Sequence, residues 1–388
     1  MKHHIAELAA EMSAVRRDIH QHPELAFKEG RTAAVVARLL RQWGISVHEG
    51  VGRTGVVGVV SAGDSDRAIG LRADMDALPI QETSSAAHSS VNAGVAHSCG
   101  HDGHTAMLLC AARYLAETKR FNGRVHLIFQ PAEEGEAGAL AMIEDGLFER
   151  FPCDEVYALH NWPSLPVGVI ATRPGPIMAA ADRFDITVCG GATHAAQPHR
   201  GADTILCAAN IITSANTLVA RRIDPAANAV VSVTCVHGGS SHNALPANVR
   251  LTGTVRTFDP LVQDILEGAL RQCVKHIAGA FGCTATIEYK RYYPATINDA
   301  GSAQFALDAA RAISAQALLA EAPAATSEDF AFMLQRVRGA YIWLGSNDVA
   351  HDRPLHDPAF DFNDEILPIG AALLVSLAEL RLKALGKP

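Results

Sequence analysis

The chain has 388 residues, too many for one ordinary core, and its hydrophobic fraction of 48% is typical of a globular protein. Its 33 lysines and arginines are outnumbered by 41 aspartates and glutamates, and the net charge of -8 argues against nucleic acid as a partner. No apolar run reaches the roughly 18–20 residues that span a bilayer, and residues 1–24 lack the apolar stretch of a secretory signal. We therefore expect a cytoplasmic protein with no membrane partner.

The first half of the chain alternates helical and strand patterns. Helical periodicity occurs in four segments, and apolar strand patterns occur between them: helices over 5–19, 29–43, 103–118 and 137–146, and strands over 54–60, 67–74, 124–130 and 154–161. This alternation predicts an α/β domain in which a mixed sheet is flanked by helices.

The pattern changes after residue 181. Strands and helices follow in the order β-α-β-β-α-β, which predicts a smaller ferredoxin-like α+β domain: strands over 183–190, 228–239, 248–258 and 284–293, and helices over 201–222 and 259–282. The α/β pattern then resumes with helices over 301–316, 328–337 and 364–384 and a strand over 340–345. We predict a larger domain built from 1–181 and 295–388 and interrupted by the smaller domain over 182–294.

Polar clusters follow several of the predicted strands, where ligands bind in open α/β sheets. Asp74 and Asp76 close one strand, and on pattern alone they fit either a turn with a helix cap or a carboxylate pair beside a cation. Cys99 and His101 flank Gly100. A thiolate and an imidazole at this spacing select zinc over magnesium, although a buried cysteine beside a surface histidine fits equally well.

Further donors follow later strands. Glu133 and Glu134 are adjacent and point in different directions, so one can bind metal while the other faces a water molecule. His160 ends a strand, and His356 lies in a loop. Five side chains are too many for one tetrahedral zinc and suit two ions with bridging ligands: Cys99, His101, Glu134, His160 and His356. We also expect the helix that begins after Cys99 to favour its thiolate and to present His104 as a supporting partner.

The motifs around these residues run co-linearly through most of the chain. They are "RADMDALP", "HSCGHDGHTAML", "QPAEEG", "ALHNWP", "GATHAAQPH", "HNALPANVRLTGTVRTF", "SEDFAF" and "LHDPAFDFND". In this order they resemble the amidohydrolase branch of the dinuclear metallopeptidases, which includes hippurate hydrolases and hydrolases of indole-acetyl amino acids. The resemblance implies that a catalytic domain is interrupted by a dimerisation, or lid, domain.

The resemblance also implies roles for individual residues. The implied metal ligands are Cys99, His101, Glu134, His160 and His356. Glu133 matches the general base, and Asp76 matches a carboxylate that orients a ligand.

Three further residues match positions in the smaller domain. His194 matches a histidine that reaches an active site, in relatives that of the partner subunit. Asn243 and Arg256 resemble residues that hold the carbonyl and carboxylate ends of the substrate. The chain departs from the family at Ala192, Thr193 and Gln197, and these departures bear on the identity of the substrate more than on the reaction type.

These observations predict a hydrolase that cleaves the amide bond of acetyl, benzoyl or indole-acetyl amino acids with a metal-activated water and Glu133 as base. The cofactors would be two divalent ions, zinc or manganese first, with cobalt and nickel as further candidates. A homodimer or higher homo-oligomer would form through 182–294.

Three alternatives remain open at this point. A dipeptidase or carboxypeptidase would use the same metals and differ only on the acyl side of the substrate. A non-catalytic binding protein would need no base at Glu133. A thiol redox protein would need a resolving cysteine near Cys99, yet the eight cysteines are scattered and form no C-x-x-C pair.

Overall fold

The computed structural model describes residues 1–386 and divides the chain into two compact units. The first unit comprises Met1–Ile177, Ile297–Ala322 and the described residues from Asp329 onward. The second comprises Met178–Thr296 and Pro323–Glu328, and no sequence signal indicates that this short later segment groups with it. Among the described residues, no helix has both the length and the apolar character needed to cross a bilayer.

The N-terminal part of the first unit alternates helices and strands. Its elements are α1 (Lys2–Gln21), α2 (Gly30–Gln42), β1 (Ser46–Val51), β2 (Gly55–Ala62), β3 (Ala68–Asp74), α3 (His101–Thr118), β4 (Gly123–Gln130), α4 (Gly138–Glu144), α5 (Leu147–Arg150), β5 (Glu155–Pro166), β6 (Ile170–Thr172) and β7 (Gly175–Met178). The predicted helix over 137–146 ends at Glu144, and the chain then forms the separate short helix α5.

The second unit contains a four-stranded sheet and three helices. Its elements are β8 (Ala180–Cys189), β9 (Thr193–His194), a 3-10 helix (Pro198–Arg200), α6 (Thr204–Ala215), α7 (Leu218–Arg222), β10 (Ala229–Gly238), β11 (Ala244–Leu245), β12 (Asn248–Thr257), α8 (Pro260–Ala280) and β13 (Thr284–Tyr293). The short strand β14 (Thr296–Asn298) spans the point at which the chain returns to the first unit. The main sheet is antiparallel in the order β10-β12-β8-β13, and its apolar face packs against the helices.

The single helix predicted over 201–222 is wrong, because the chain forms α6 and α7 with a break between them. The Asn216 side chain donates to the carbonyl of Ile212, and the Thr217 hydroxyl donates to the carbonyl of Ser214. Polar side chains that bond to main-chain carbonyls in this way compete with the helical hydrogen bonds and weaken or bend a helix.

The C-terminal part returns to the first unit. Its elements are α9 (Ala300–Ile313), β15 (Ala317–Leu319), α10 (Phe330–Leu334), β16 (Gly339–Asn347), a 3-10 helix (Asp364–Ile366) and α11 (Leu367–Leu385). The eight strands of the first unit's main sheet lie in the order β1-β2-β4-β3-β5-β16-β6-β15. Because parallel and antiparallel pairs both occur, the predicted α/β class with a mixed sheet is confirmed.

The core of the first unit positions the loops that follow the central strands. Strand β3 pairs in parallel with β4 and β5, and β16 pairs in parallel with β5. Their carboxyl ends therefore lie at one edge of the sheet. Helix α3 begins at this edge and is buried along most of its length, in contact with α1 and α11. The loop that precedes α3 is thus anchored in the core.

Candidate metal centre

Five side chains from four segments of the first unit converge at the carboxyl edge of the sheet. Cys99, His101 and His160 each offer a ligand atom, and these atoms lie within 4.8 Å of one another. Cys99, Glu134 and His356 form a second group by the same measure. The structure thus brings together all five side chains that the sequence singled out as ligands. Cys99 belongs to both groups.

The orientation of His101 leaves one ring nitrogen free to bind a cation. Its Nδ1 lies 3.2 Å from Asp76 Oδ1, so Nδ1 carries the hydrogen and donates to that carboxylate. Its Nε2 is buried and has no hydrogen-bond partner among residues 1–386. A buried imidazole held by a carboxylate on one nitrogen and unpartnered on the other is the arrangement of a metal ligand.

His160 is held in the same manner by the main chain. Its Nδ1 donates to the carbonyl oxygen of Asn161 at 2.7 Å, which directs Nε2 toward Cys99. The Cys99 sulfur lies 3.4 Å from that nitrogen. The hydrogen on Nδ1 therefore leaves the Nε2 lone pair next to the thiol, where one ion can contact both atoms.

Glu134 and His356 complete the second group. The Glu134 main-chain N–H donates to Asp76 Oδ2 at 2.9 Å, so Asp76 orients both His101 and Glu134. Glu134 Oε1 is buried, lies 3.2 Å from His356 Nε2, and forms no hydrogen bond within the described chain. His356 adopts a φ of +67°, and its N–H donates to the Ser98 carbonyl at 2.8 Å, which holds it beside the Cys99 loop.

The electrostatics of the cluster call for a cation. Burial raises the pKa of the Cys99 thiol, and the charges of Glu134 and Glu133 raise it further. The effect of the helix start on this thiol stays a prediction. Burial opposes charge on His101, but Asp74 and Asp76 raise its pKa to about 10. A divalent ion would offset the carboxylates and displace these protons, and the mixed sulfur, nitrogen and oxygen donors suit zinc and related ions.

His104 has both ring nitrogens occupied and lies behind the ligands. Its Nδ1 donates to Asp74 Oδ1 at 2.6 Å, and its Nε2 lies 2.6 Å from Asn161 Oδ1. Asp74 in turn accepts a hydrogen bond from the buried guanidinium of Arg72 at 2.7 Å. Sequence reasoning missed Asn161 and Arg72. The glycine at position 100 is a sequence signal for this contact, because a Cβ added there would lie 2.3 Å from Asn161 Oδ1.

Glu133 lies at the same edge of the sheet. It forms a group with His101 and Glu134 within 4.8 Å, and 7% of its surface is exposed. The main-chain N–H of Asp329 donates to Glu133 Oε1 at 3.4 Å. A carboxylate in this position can hold or pass a proton beside the ligand groups.

The three remaining site predictions fall in the second unit. His194, on β9, is exposed and pairs with Ala244 of β11, and the N–H of Ala195 donates to the Asn243 carbonyl at 2.9 Å. His194 and Asn243 are therefore neighbours. Arg256 is half-buried near the end of β12 that pairs with Ala181, away from the β9–β11 pair, so the second unit does not bring it together with the other two.

Comparison with known families gives an independent result. Residues 70–380 match the model of Peptidase family M20/M25/M40. Hippurate hydrolase of Campylobacter jejuni is 39% identical over 98% of this chain and 98% of its own length. N-acetyl-L-cysteine deacetylase of Bacillus subtilis is 37% identical over 93% of this chain and 85% of its own length. Thermostable carboxypeptidase 2 of Saccharolobus solfataricus is 37% identical over 97% of each chain.

A solved structure is similar over nearly the same length. It is described as a dinuclear metal-binding peptidase of the M20 family from Bacillus subtilis. It is 32% identical, has a TM-score of 0.85, and covers 97% of this chain and 99% of its own chain.

Proposed function

Because the chain belongs to peptidase family M20/M25/M40, we propose that it is a metal-dependent amidohydrolase that cleaves the amide bond of N-acyl amino acids. Its relatives include enzymes named for hippurate and for N-acetyl-L-cysteine, which are both N-acyl amino acids. The chain is a hydrolase of amide bonds, and the acyl group that it prefers is part of the proposal.

One observation carries this proposal. The buried His101 Nε2 and Glu134 Oε1 form no hydrogen bond among residues 1–386, and both atoms face a cluster that also contains a thiol and two further imidazoles. A buried polar atom that forms no hydrogen bond is costly, and two such atoms 4.0 Å apart indicate a cation-binding function. Similarity to a dinuclear metal-binding peptidase supports divalent metal as the cofactor.

The proposed ligands are Cys99, His101, Glu134, His160 and His356. Two divalent cations held there, zinc or manganese in the first place, would polarise the amide carbonyl and lower the pKa of a water molecule. All other roles fall to the protein. Asp76 orients His101 and Glu134, and the Asn161 carbonyl orients His160.

Glu133 would serve as the general base. Its carboxylate takes a proton from the attacking water as the water oxygen bonds to the acyl carbon. The same proton passes to the amide nitrogen, the carbon–nitrogen bond breaks, and the products are a carboxylic acid and a free amino acid. General acid–base catalysis of this kind contributes roughly 10²- to 10⁴-fold to a rate.

The remaining roles stay predictions. These are the donation by His194 to the oxyanion, substrate binding by Asn243 and Arg256, the homodimer formed through the second unit, and the cytoplasmic location. A carboxypeptidase is the main competing function, because a relative at 37% identity carries that name.

A substrate panel on metal-stripped and metal-loaded protein tests the proposal. We expect N-acetyl, N-benzoyl or indole-acetyl amino acids to be hydrolysed faster than dipeptides, and only after zinc, manganese, cobalt or nickel is returned. Preference for dipeptides would favour the carboxypeptidase.

A matched pair of variants tests the base. Glu133→Gln should keep the bound metal and lose at least about a hundredfold in kcat. Glu136→Gln, an exposed glutamate on the same loop, should stay within twofold of the parent. A Glu133→Gln protein that binds metal and turns over at the parental rate would remove Glu133 from the mechanism.

A further inference from the structure

The loop that carries Glu133 and Glu134 is held in a strained conformation. Ala132 has a φ of +54° and Ala137 a φ of +57°, although neither is glycine. The ends of the loop approach closely, because the Gly138 N–H donates to the Ala132 carbonyl at 2.9 Å and a Cβ on Gly138 would lie 1.7 Å from the Pro131 oxygen. Left-handed backbone at alanine persists only when the surrounding structure holds it.

One distant carboxylate holds both flanks of this loop. Asp329 accepts a hydrogen bond from Gln130 Nε2 at 2.8 Å, just before the loop, and from the Ala139 N–H at 2.8 Å, just after it. Asp329 is fully buried. Its own main-chain N–H reaches Glu133 Oε1. The same residue therefore contacts the loop at its start, at its end and at the proposed base.

The position of Asp329 is itself determined by the sheet. Arg72, on β3, donates to Asp329 Oδ1 from Nη2 at 3.1 Å and to Gln130 Oε1 from Nε at 2.7 Å. Asp74 and Gln130 are paired residues at the ends of the neighbouring strands β3 and β4. Asp329, Arg72 and Gln130 thus form a buried set that ties the loop to two adjacent strands.

We propose that Asp329 is a positioning residue, which clamps the strained loop 131–138 and thereby sets the direction of the Glu133 carboxylate. This inference rests on the proposed function, in which Glu133 is the base. The clamp acts on the proton-transfer step rather than on substrate binding, so its loss lowers kcat and leaves KM nearly unchanged. Misplacement of a catalytic group by about 1 Å costs on the order of 100-fold in rate.

The alternative is that Asp329 only balances the charge of Arg72. In that case its removal would lower stability without changing the turnover of the folded, metal-loaded enzyme. Glu155 offers a matched control, because it is a fully buried carboxylate paired with Arg381 at the first residue of β5, five residues before His160.

The experiment compares Asp329→Asn with Glu155→Gln in the metal-loaded protein. Asparagine cannot accept all the hydrogen bonds of the carboxylate, so we expect kcat to fall about 10- to 100-fold with KM within threefold and the bound metal unchanged. Hydrogen–deuterium exchange should become faster in the peptide that spans residues 131–142. Glu155→Gln should change neither kcat nor the exchange of this peptide.

A second substitution tests whether the clamp acts through strain. Glycine adopts a positive φ without penalty, so Ala137→Gly in the Asp329→Asn background should restore kcat at least threefold. The same change in the parent should alter kcat less than twofold. No recovery in the double variant would overturn the strain argument, and parental kcat with parental exchange in Asp329→Asn would overturn the clamp.

Further measurements cover the cases in which the first variant does not fold or the parent is inactive. If Asp329→Asn does not fold, Gln130→Met releases only the leading flank of the loop and should speed exchange in the same peptide while lowering kcat. If the parent hydrolyses no N-acyl amino acid, the proposed function fails, and the exchange measurement still reports on the clamp. If Asp329→Asn lost its bound metal as well as its kcat, the residue would act by positioning Glu134, and its proposed role at Glu133 would be refuted.

Discussion

Asp76 orients two candidate ligands at once, and a single substitution exposes this double role. Its Oδ1 lies 3.2 Å from His101 Nδ1, and its Oδ2 accepts from the Glu134 N–H at 2.9 Å. Both contacts require an acceptor, and asparagine offers only one. We therefore predict that Asp76→Asn weakens metal binding whichever way its amide group turns.

The magnitude follows from the two orientations. With the amide nitrogen toward His101, Nδ1 must accept, so the hydrogen moves to Nε2 and the ligand lone pair is lost. With the amide nitrogen toward Glu134, two buried donors face each other, at a cost of about 1–3 kcal/mol. Loss of an orienting partner typically lowers metal affinity by about 10- to 100-fold, or roughly 1.4–2.8 kcal/mol.

Competition with a chromogenic zinc chelator measures this affinity directly. Asp182→Asn is a suitable control, because Asp182 is a buried carboxylate of the second unit that accepts hydrogen bonds from Gln263 and Tyr289. The control should bind zinc within twofold of the parent. If Asp76→Asn also bound zinc within twofold of the parent, the assignment of His101 and Glu134 as jointly oriented ligands would be refuted.

Three further predictions concern stability and assembly. Burial opposes charge on His20, but Asp102 raises the pKa of His20 from 6.5 to about 10. The pair of His20 and Asp102 therefore stabilises the fold fully below pH 6.5, and this stabilisation is lost as the pH rises through 10. The urea midpoint of the parent should thus fall more between neutral pH and pH 10 than that of His20→Gln, and equal falls would contradict this. The Gly100→Ala protein should have a melting temperature well below that of Gly94→Ala. Both positions have a positive φ, which costs an alanine about 1–2 kcal/mol. At Gly100 the new Cβ would also lie 2.3 Å from Asn161 Oδ1, whereas at Gly94 it would meet nothing. Similar melting temperatures for the two variants would show that the contact with Asn161 has no effect on stability. Sedimentation should give twice the chain mass, whereas a monomer would exclude the predicted homodimer.

The sequence carried strong information on the regular elements and on the donor atoms. The long helices and the central strands of the first unit have clear apolar periods, and their predicted bounds differ from the structure by a few residues. Three strands of that sheet were missed, namely β1, β6 and β15. β6 and β15 have three residues each, too few for a period to be visible, and β15 pairs with β6 from far along the chain.

Cys99, His101, Glu134, His160 and His356 were found because their chemistry is distinctive. That much the sequence determined alone. The prediction that His160 ends a strand is wrong, because β5 continues to Pro166. Only the tertiary structure decided the contacts that direct these side chains. It shows which nitrogen of His101 faces Asp76 and that His104 bonds to Asp74 and Asn161 behind the ligands. It also brings Asp329 to Glu133, which is 196 residues away in the chain. The physical reason is that periodicity records which face of an element is buried, whereas the partner of a polar atom is set by long-range packing, which leaves no local pattern in the chain.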